Sequence, residues 1–467
     1  MPSGPAAEPA VPVGCQAAAR EGSSDLPGGP DLPGGPKLPG GPFLQDGSEL
    51  PGGRGLMGGP DLLGSPDPGR LYLLCAVVLT GTVASIAFHY VMGFYLLSGH
   101  PYDTFLFLPA DRFQDFFNVF RDVQVYGAHL HTLAYSPFMH VVVTGLTLIP
   151  RMPAFALVLV VFSATCAAQV WFRFTTREQP VPLRLMVVVI LTALSYAFLM
   201  LVDRGNLEML VFLALLGFVS FYYLRPSRWS WVFLAVAIAF KFYPATLLVL
   251  PLSDRKWRQA GLALVGAVAL TLLSLPIITW ISGVPLASVW HDAVGTLGGH
   301  VSYSATVRVA RYGHSLWGAI VVLFAHKQSL AGADELRLVY SVAAAVVFAL
   351  LAAYVFFVER APWRKVTVLV ACFLLLPFES ADYTLIHLYL PLMLMLAAAG
   401  RRSLRLPAVI FGLLLVPLDY YYLHTGNLPL VTTTISVSVL VRPALLVSLV
   451  AVAVGQGVKD RRLRSRS

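Results

Sequence analysis

Charge is scarce in this chain of 467 residues. Asp, Glu, Lys and Arg make up 12% of it, hydrophobic residues make up 57%, and the mean hydropathy is +0.72. Soluble globular domains carry roughly 25% charged residues. Apolar runs recur from Leu71 to Gly455, and a run of about 20 residues spans roughly 30 Å of hydrocarbon. The composition excludes soluble enzymes, secreted disulfide scaffolds and nucleic-acid-binding domains, and it predicts an integral membrane protein.

Motifs that indicate a metal, a nucleotide or a disulfide are also missing. The four cysteines, Cys15, Cys75, Cys166 and Cys372, form no CxxC pair, and the favoured interpretation is that they are small hydrophobic residues. The sequence has no Asp-x-Asp pair to hold a metal on a diphosphate, no GxxxxGK[ST] loop and no HExxH motif. We therefore expect no metal ion and no cofactor, and nucleotide-sugar chemistry is disfavoured.

Residues 1–69 differ in composition from the rest of the chain. From Asp25 onward a six-residue period, DLPGGP in its clearest copies, places Leu second in every copy. Pro and Gly at this density do not build a packed core, so we expect a disordered linker, with a docking role as the alternative. The first residues lack the pattern of a signal peptide, so the first apolar run is predicted to be a retained anchor. Residues 70–456 would form the transmembrane body and 457–467 a basic cytoplasmic tail.

Basic clusters lie between the apolar runs, and placing them all in the cytoplasm predicts the topology. The predicted spans lie near 71–97, 153–172, 185–201, 207–224, 259–281, 335–358, 365–378, 383–399, 404–423 and 430–455. Three apolar pieces are too short to cross alone, and we interpret them as re-entrant or paired half-helices. They are 137–150, the two halves of 228–253 around Lys241, and 314–325. The predicted fold class is all-α, a polytopic transmembrane bundle of about 10–13 membrane segments.

This topology places most of the isolated ionisable residues at one membrane face, the extracytoplasmic one. Charges at membrane depth are costly and indicate a functional site. A polar cavity open on one side suits an enzyme whose substrate is anchored in the membrane. The alternative is that these charges only pair with one another.

The loop after the first span offers three acids at helical spacing, Asp111, Asp115 and Asp122. Steps of four and seven residues place them on one face of a helix. A carboxylate beside a low-dielectric pocket can take a proton from a sugar hydroxyl in the transition state. The alternative is a solvated loop whose acids pair with Arg112 and Arg121.

Isolated cations supply the complementary charge. Arg204 and Lys241 stand in apolar surroundings, and a guanidinium or an ammonium binds phosphate well. We predict that they, together with His314, Arg308 and Arg311, hold a lipid phosphate and stabilise it as a leaving group. A structural ion pair is the alternative for each of them.

Four stretches, taken in order, resemble the GT-C membrane glycosyltransferases, in particular glycosyltransferase family 87, the polyprenol-phosphate-mannose-dependent α-mannosyltransferase-like proteins. They are DRFQDFFNVF followed by Tyr135-Ser136-Pro137, then DRGNLEMLVFLALL, then KFYPATLLVLPLSDRKWR, and finally ESADYTLIHLYLP. Together they cover most of residues 71–425. The sequence departs from the family in having Tyr-Ser-Pro where Tyr-Pro-Pro is common, and in carrying Arg442-Pro443 inside its last apolar run.

The resemblance implies a GT-C-type, metal-independent hexosyltransferase in the inner (plasma) membrane. It would transfer a sugar, often mannose, from a polyprenyl-phosphate donor to a lipid or glycan acceptor on the extracytoplasmic side, with membrane lipids around it. The family's catalytic acid maps best to Asp115 and less securely to Asp111 or Asp122. The residues predicted to contact the substrate are Tyr135, Asn206, Asp382 and His300.

Two alternatives belong to other functional classes. The first is a transporter or flippase of lipid-linked sugars, which often shows repeats between its halves; here only residues 1–69 repeat. The second is a non-catalytic GT-C-like assembly partner, which only an activity measurement distinguishes. The sequence favours the glycosyltransferase because its acids gather at one face.

Overall fold

The computed structural model describes residues 68–96, 112–126, 135–304, 313–324, 333–398, 404–424 and 434–465. Almost all of them are helical. In chain order the helices are α1 (Pro68–Leu96), α2 (Gln114–Tyr126), α3 (Pro137–Leu146), α4 (Arg151–Gln169), α5 (Val181–Thr192), α6 (Tyr196–Arg204), α7 (Glu208–Val219), α8 (Ser230–Phe240), α9 (Val249–Ser253), α10 (Trp257–Ser282), α11 (Leu286–Ser304), α12 (Leu316–Phe324), α13 (Ala333–Phe357), α14 (Pro362–Leu375), α15 (Tyr389–Ala397), α16 (Arg405–Leu414) and α17 (Ser438–Arg464).

Short irregular elements connect several of these helices. A π-helical turn follows α4 at Val170–Phe174 and another follows α7 at Ser220–Leu224. The 3₁₀ helices are Tyr243–Leu248, Asp382–Leu388 and Leu418–Tyr420. Two short antiparallel strands, β1 (Tyr422–His424) and β2 (Thr434–Ser436), pair with Leu423 opposite Ile435.

The helices are those of a polytopic membrane protein, which confirms the predicted fold class. In the described ranges five helices are long and apolar enough to cross a bilayer, and one bent pair makes a sixth candidate. The five are Pro68–Met92, Arg151–Phe174, Trp257–Ser282, Asp334–Phe357 and Ser438–Leu463. Shorter apolar helices pack against them, with α3 and α8 on α10 and α16 on α1.

The predicted single span 185–201 is broken. Helices α5 and α6 meet at an angle of 59°. The break is stabilised by neighbouring segments, since Tyr196 N–H donates to the Leu415 carbonyl at 2.8 Å and Thr82 Oγ1 donates to the Leu194 carbonyl at 3.0 Å. Backbone groups freed at membrane depth need such partners, and hydropathy alone does not reveal them.

The predicted break near Lys241 is confirmed. Helix α8 ends at Phe240, Lys241 is extended, and a 3₁₀ helix begins at Tyr243. Two predicted boundaries are wrong because the chain turns earlier or later than the apolar runs do. Helix α16 ends at Leu414, well inside the predicted 404–423 span, and α17 begins only at Ser438.

The predicted tail, 1–69, lies outside the described residues except for Pro68 and Gly69, which begin α1. At the other terminus α17 continues through the predicted start of the basic tail to Arg464. The core forms where α8 packs on α10 and α7, α1 on α16, and α14 on α15 and α17. Helix α14 is buried from Trp363 to Leu375, whereas few residues of α13 are buried and about half of them are exposed.

The bundle has two ends, which we name by their residues. The DRGN end holds the turn Asp203–Asn206, and the arginine end holds Arg173, Arg184 and Arg225. Helix α7 begins beside the first and its π-helical turn finishes beside the second. The 24-residue segment Arg151–Phe174 also joins the two ends, a rise of about 36 Å at 1.5 Å per residue. The two ends are therefore separated by roughly the thickness of a bilayer.

Candidate active site

The DRGN turn fixes the start of helix α2. Gly205 ends α6 in the left-handed region, with φ of +60°, which glycine adopts without steric penalty. A Cβ at Gly205 would lie 3.2 Å from the Cα of Phe113, so this position also needs a small residue. Phe113 N–H donates to the Asp203 carbonyl at 2.6 Å. These two contacts hold the first turn of α2 against the end of α6.

That first turn carries Asp115. Its Oδ1 accepts a hydrogen bond from Arg204 Nη2 at 2.6 Å and its Oδ2 accepts one from Asn206 Nδ2 at 2.8 Å. A carboxylate at a helix N-terminus is also favoured by the helix dipole. Two oxygens provide about four lone-pair positions, so each oxygen of Asp115 can still accept another proton donor. The side chains of Arg204 and Asp115 are partly exposed, and that of Asn206 is buried next to them.

A second ion pair stands behind the first. Asn206 Oδ1 accepts from the Glu208 backbone N–H at 2.9 Å, which directly couples the DRGN turn to the start of α7. The Glu208 carboxylate is fully buried and pairs with Lys241 Nζ at 2.6 Å. It also accepts from His387 Nε2 at 2.8 Å and from the Tyr243 hydroxyl. A buried carboxylate is stabilised only when paired and hydrogen-bonded, and Glu208 meets both conditions.

Lys241 reaches this position because α8 stops at the preceding residue. The carbonyl of Ala239 accepts from the Ser136 hydroxyl, which satisfies a backbone group that the broken helix leaves open. The Lys241 ammonium lies 5.4 Å from the ring centre of Tyr135 and 5.7 Å from that of Tyr383. Both distances are within cation–π range. Burial and the neighbouring carboxylates raise the pKa of Tyr135, so its hydroxyl remains a proton donor.

A buried cluster adjoins this site around Asp382. Its Oδ1 pairs with His314 Nδ1 at 3.0 Å and with Arg442 Nη1 at 2.6 Å. The same Arg442 nitrogen lies 2.6 Å from Oδ2 of Asp419, and Ser380 Oγ lies 3.0 Å from His314 Nε2. Every one of these groups is buried. Asp382 is followed by Tyr383, whose ring faces Lys241, so the cluster anchors one wall of the site.

His314 is neutral in this environment. Burial and the Arg442 cation lower the pKa of His314 to about 3. The consistent tautomer has Nδ1–H donating to Asp382 while Nε2 accepts from the Ser380 hydroxyl. Both ring nitrogens are thus engaged, and this geometry does not favour the predicted contact between His314 and a donor phosphate.

The structure brings five of the predicted residues into one place. They are Asp115, Arg204, Asn206, Lys241 and Tyr135. Asp122 lies on the same helix but pairs with the exposed Arg121 at 3.4 Å. Asp111, Arg308 and Arg311 lie outside the described residues, as does the side chain of His300, whose backbone belongs to α11.

Sequence reasoning missed five residues. Glu208, Tyr243 and His387 belong to the group around Lys241, and Asp419 and Arg442 belong to the buried cluster around Asp382. The available signal was position, since an ionisable residue next to or inside an apolar run indicates a site. Glu208 opens α7, and Arg442 lies in the first turns of α17. Within the described ranges no three His, Cys, Asp or Glu side chains are placed to hold a metal ion.

The arrangement can therefore orient a carboxylate base beside two cations. Comparison with known proteins bears directly on what it does. The model of glycosyltransferase family 87 matches residues 133–378, just over half of the chain. The match includes Tyr135, the DRGN turn and Lys241, while Asp115 precedes it and Asp382 follows it. Comparisons with curated proteins and with solved structures gave no match. The chain belongs to glycosyltransferase family 87 and is a membrane glycosyltransferase of that family.

Proposed function

We propose that this glycosyltransferase moves mannose from a polyprenyl-phosphate donor to the hydroxyl of a lipid or glycan acceptor. The proposal places the reaction at the DRGN end, on the extracytoplasmic side of the plasma membrane. The observation that carries it is the Asp115 carboxylate held between Arg204 and Asn206, 2.6 and 2.8 Å away, next to the Lys241–Glu208 pair.

Asp115 would act as the general base. Its two hydrogen bonds fix the carboxylate plane at the first turn of α2. An acceptor hydroxyl that donates to a remaining lone pair would be aligned for attack. As its oxygen bonds to the anomeric carbon, the proton passes to Asp115 and the bond from that carbon to the phosphate oxygen breaks.

Arg204 and Lys241 would bind the departing phosphate. Both cations are already held by carboxylates, so their positions are fixed before substrate binds. Donors that need no reorganisation are commonly the largest contribution to catalysis. Lys241 has three N–H donors, of which Glu208 accepts one. A polyprenyl phosphate leaves as an anion, and it is the anion that these cations stabilise.

A sugar-transfer assay on the purified full-length protein in lipid tests this function. It offers polyprenyl-phosphate-mannose and other polyprenyl-phosphate sugars with a mixed lipid extract as acceptor, and it compares the wild type with Asp115→Asn. We expect the rate to fall by about 10²–10⁴-fold, since that is the usual contribution of a general base, while the melting temperature stays near that of the wild type.

Asp122→Asn is the matched control, because Asp122 lies two turns further along the same helix and pairs with the exposed Arg121. We expect nearly full activity. Loss of transfer in Asp122→Asn with retention in Asp115→Asn would move the base to Asp122. A folded wild type that transfers no sugar from any lipid donor would overturn the proposal. A repeat with EDTA tests metal independence, for which we expect an unchanged rate.

Sidedness needs a separate measurement. Val125 is exposed on α2, the helix that begins at the DRGN end, and Arg258 is exposed near the arginine end. In a variant whose Cys15 is replaced by Ser, a single new cysteine is introduced as Val125→Cys or Arg258→Cys. A membrane-impermeant maleimide applied to intact cells should label only Val125→Cys. Labelling of Arg258→Cys alone would invert the proposed orientation.

A further inference from the structure

The arginine end contains a cavity that the proposed reaction does not use. It has a volume of about 700 Å³ and lies where the loop after α4, the start of α5 and the end of the π-helical turn after α7 come together. Four arginines line it, and none of its lining residues is acidic. The four are Arg173, Arg177, Arg184 and Arg225.

The four guanidinium groups lack acidic partners among the residues that the structure describes. Within the described part of the chain none of them forms an ion pair with a carboxylate, unlike Arg204, Arg364 and Arg442. Arg225 lies close enough for its charge to repel that of Arg173. Cations brought together without an acid are unfavourable by themselves, and a bound anion would relieve that repulsion.

One of the arginines is already fixed in a binding geometry. The Arg184 guanidinium stacks over the ring of Trp171, 3.8 Å from its centre, and Arg184 Nε donates to Thr175 Oγ1 at 3.1 Å. Stacking and the Nε hydrogen bond hold the planar group in place and direct its Nη atoms elsewhere. A fixed planar fork suits the two-oxygen recognition of phosphate.

The surroundings of the cavity identify the source of the phosphate. The Phe172 ring, which lines the cavity, is 73% exposed, and Val181, Leu185 and Met186 on α5 are exposed nearby. The segment Arg151–Phe174 is a candidate membrane span that ends at the cavity. Exposed apolar side chains next to a basic pocket at the end of a span fit acyl chains below a charged headgroup.

We propose that this cavity is a binding site for the phosphate headgroup of an anionic phospholipid, at the opposite face of the membrane from the glycosyl-transfer site. Arg173, Arg177 and Arg225 supply positive charge, Arg184 supplies the oriented fork, and Phe172 borders the first acyl chain. The site is independent of the donor and acceptor of the transfer reaction.

Native mass spectrometry of the full-length protein tests the proposal, with dioleoyl phosphatidylglycerol as the anionic probe and dioleoyl phosphatidylcholine as the zwitterionic one. The double variant Arg173→Gln/Arg225→Gln should bind phosphatidylglycerol about 30-fold more weakly, which is ~2 kcal/mol at 1.4 kcal/mol per tenfold change. The control Arg255→Gln/Arg258→Gln removes the same charge from exposed positions outside the cavity and should bind as the wild type does.

Each other outcome counts against the site. Equal weakening in both double variants would mean attraction to a general basic surface, and equal affinity for phosphatidylcholine would remove recognition of the anion. Competition by inorganic phosphate at concentrations comparable to the lipid would assign the cavity to a soluble anion. If the double variant does not fold, Arg184→Lys keeps the charge and removes the fork, and it should weaken binding about fivefold; unchanged binding there would also overturn the proposal.

Discussion

The two ends of the molecule each contain a lysine paired with a carboxylate at 2.6 Å. The two pairs differ in which partner is more exposed. At the DRGN end the cation is the more accessible partner, with Lys241 19% exposed and Glu208 0% exposed. At the other end the acid is more accessible, with Asp254 27% exposed and Lys365 7% exposed. A cation in front of its acid can attract an anionic substrate, whereas an acid in front repels one. Of these two ion pairs, only Lys241–Glu208 therefore presents its cation to an anionic substrate.

A pair of arginines, Arg442 and Arg364, extends the comparison. Replacing Arg442 should give the largest effect on stability. Arg442 joins Asp382 to Asp419 in a fully buried cluster. Arg442→Gln would leave two buried carboxylates without their cation, so the free energy of unfolding should fall by about 3–5 kcal/mol. Thermal unfolding in detergent measures this as a large fall in melting temperature.

Arg364→Gln is the matched variant at the arginine end. Arg364 also joins two carboxylates, those of Glu359 and Asp460, but Asp460 is partly exposed and can be solvated after the change. We expect a smaller loss of stability than in Arg442→Gln. Equal losses of stability in the two variants would show that the stability of the protein depends equally on the buried arginine at each end.

Replacing each lysine tests the comparison on activity. Lys241→Gln should lower the rate of sugar transfer by about 10²-fold, the lower part of the range for removing an electrostatic donor. Lys365→Gln, which removes a cation that also lies 2.9 Å from Ser253 Oγ, should leave the rate within about twofold while lowering the melting temperature. Comparable rate losses in both would mean that Lys241 stabilises the fold only.

A comparison of two glycines, Gly205 at the active site and Gly283 away from it, distinguishes the effect of backbone strain from that of steric crowding. Gly205 and Gly283 both have positive φ, but only at Gly205 would a Cβ meet neighbouring atoms. Gly283→Ala should cost about 1–2 kcal/mol through strain alone. Gly205→Ala should cost more and should also slow transfer, since it displaces the helix that carries Asp115. Unfolding and transfer assays on both variants measure the difference; identical behaviour would contradict the role of the DRGN turn in positioning Asp115.

The last expected effect is a dependence of stability on pH. The pKa of His314 is lowered to about 3 in the folded protein and lies near 6.5 when unfolded. Between these values the unfolded chain binds one more proton, so stability falls as pH drops below 6.5, by up to about 1.4 kcal/mol per pH unit. His314→Gln should flatten the fall in melting temperature between pH 6.5 and 5; a fall as steep as in the wild type would show that His314 is not its source.

Local features of the site were predictable because they depend on neighbours in sequence. The spacing of the acids in the first loop was compatible with the helix that carries Asp115, and a lysine before an aromatic residue and Pro244 predicted the break at Lys241. Glycine and proline restrict the backbone wherever they occur. These signals need no knowledge of distant partners.

The pairing of the charges was not predictable, because it joins residues far apart in sequence. Asp115 and Arg204 are 89 residues apart, and Lys241 and Glu208 are 33 apart. Each cation could have been matched with an acid next to it, as the structural alternative assumed. The break between α5 and α6 also depends on a distant partner, the Leu415 carbonyl. Hydropathy therefore predicted one continuous span over this segment.

The contrast between α13 and α14 has a consequence for how this sequence can change over evolutionary time. The exposed side chains of α13 are not enclosed by other helices, so they need only remain apolar, and exchanges among Leu, Val, Ile and Ala should be nearly neutral at those positions. Side chains along α14 are enclosed from Trp363 to Leu375, where a change of one methylene alters packing. Related sequences should therefore vary more in α13 than in α14, and a deep mutational scan should show more tolerated substitutions in α13.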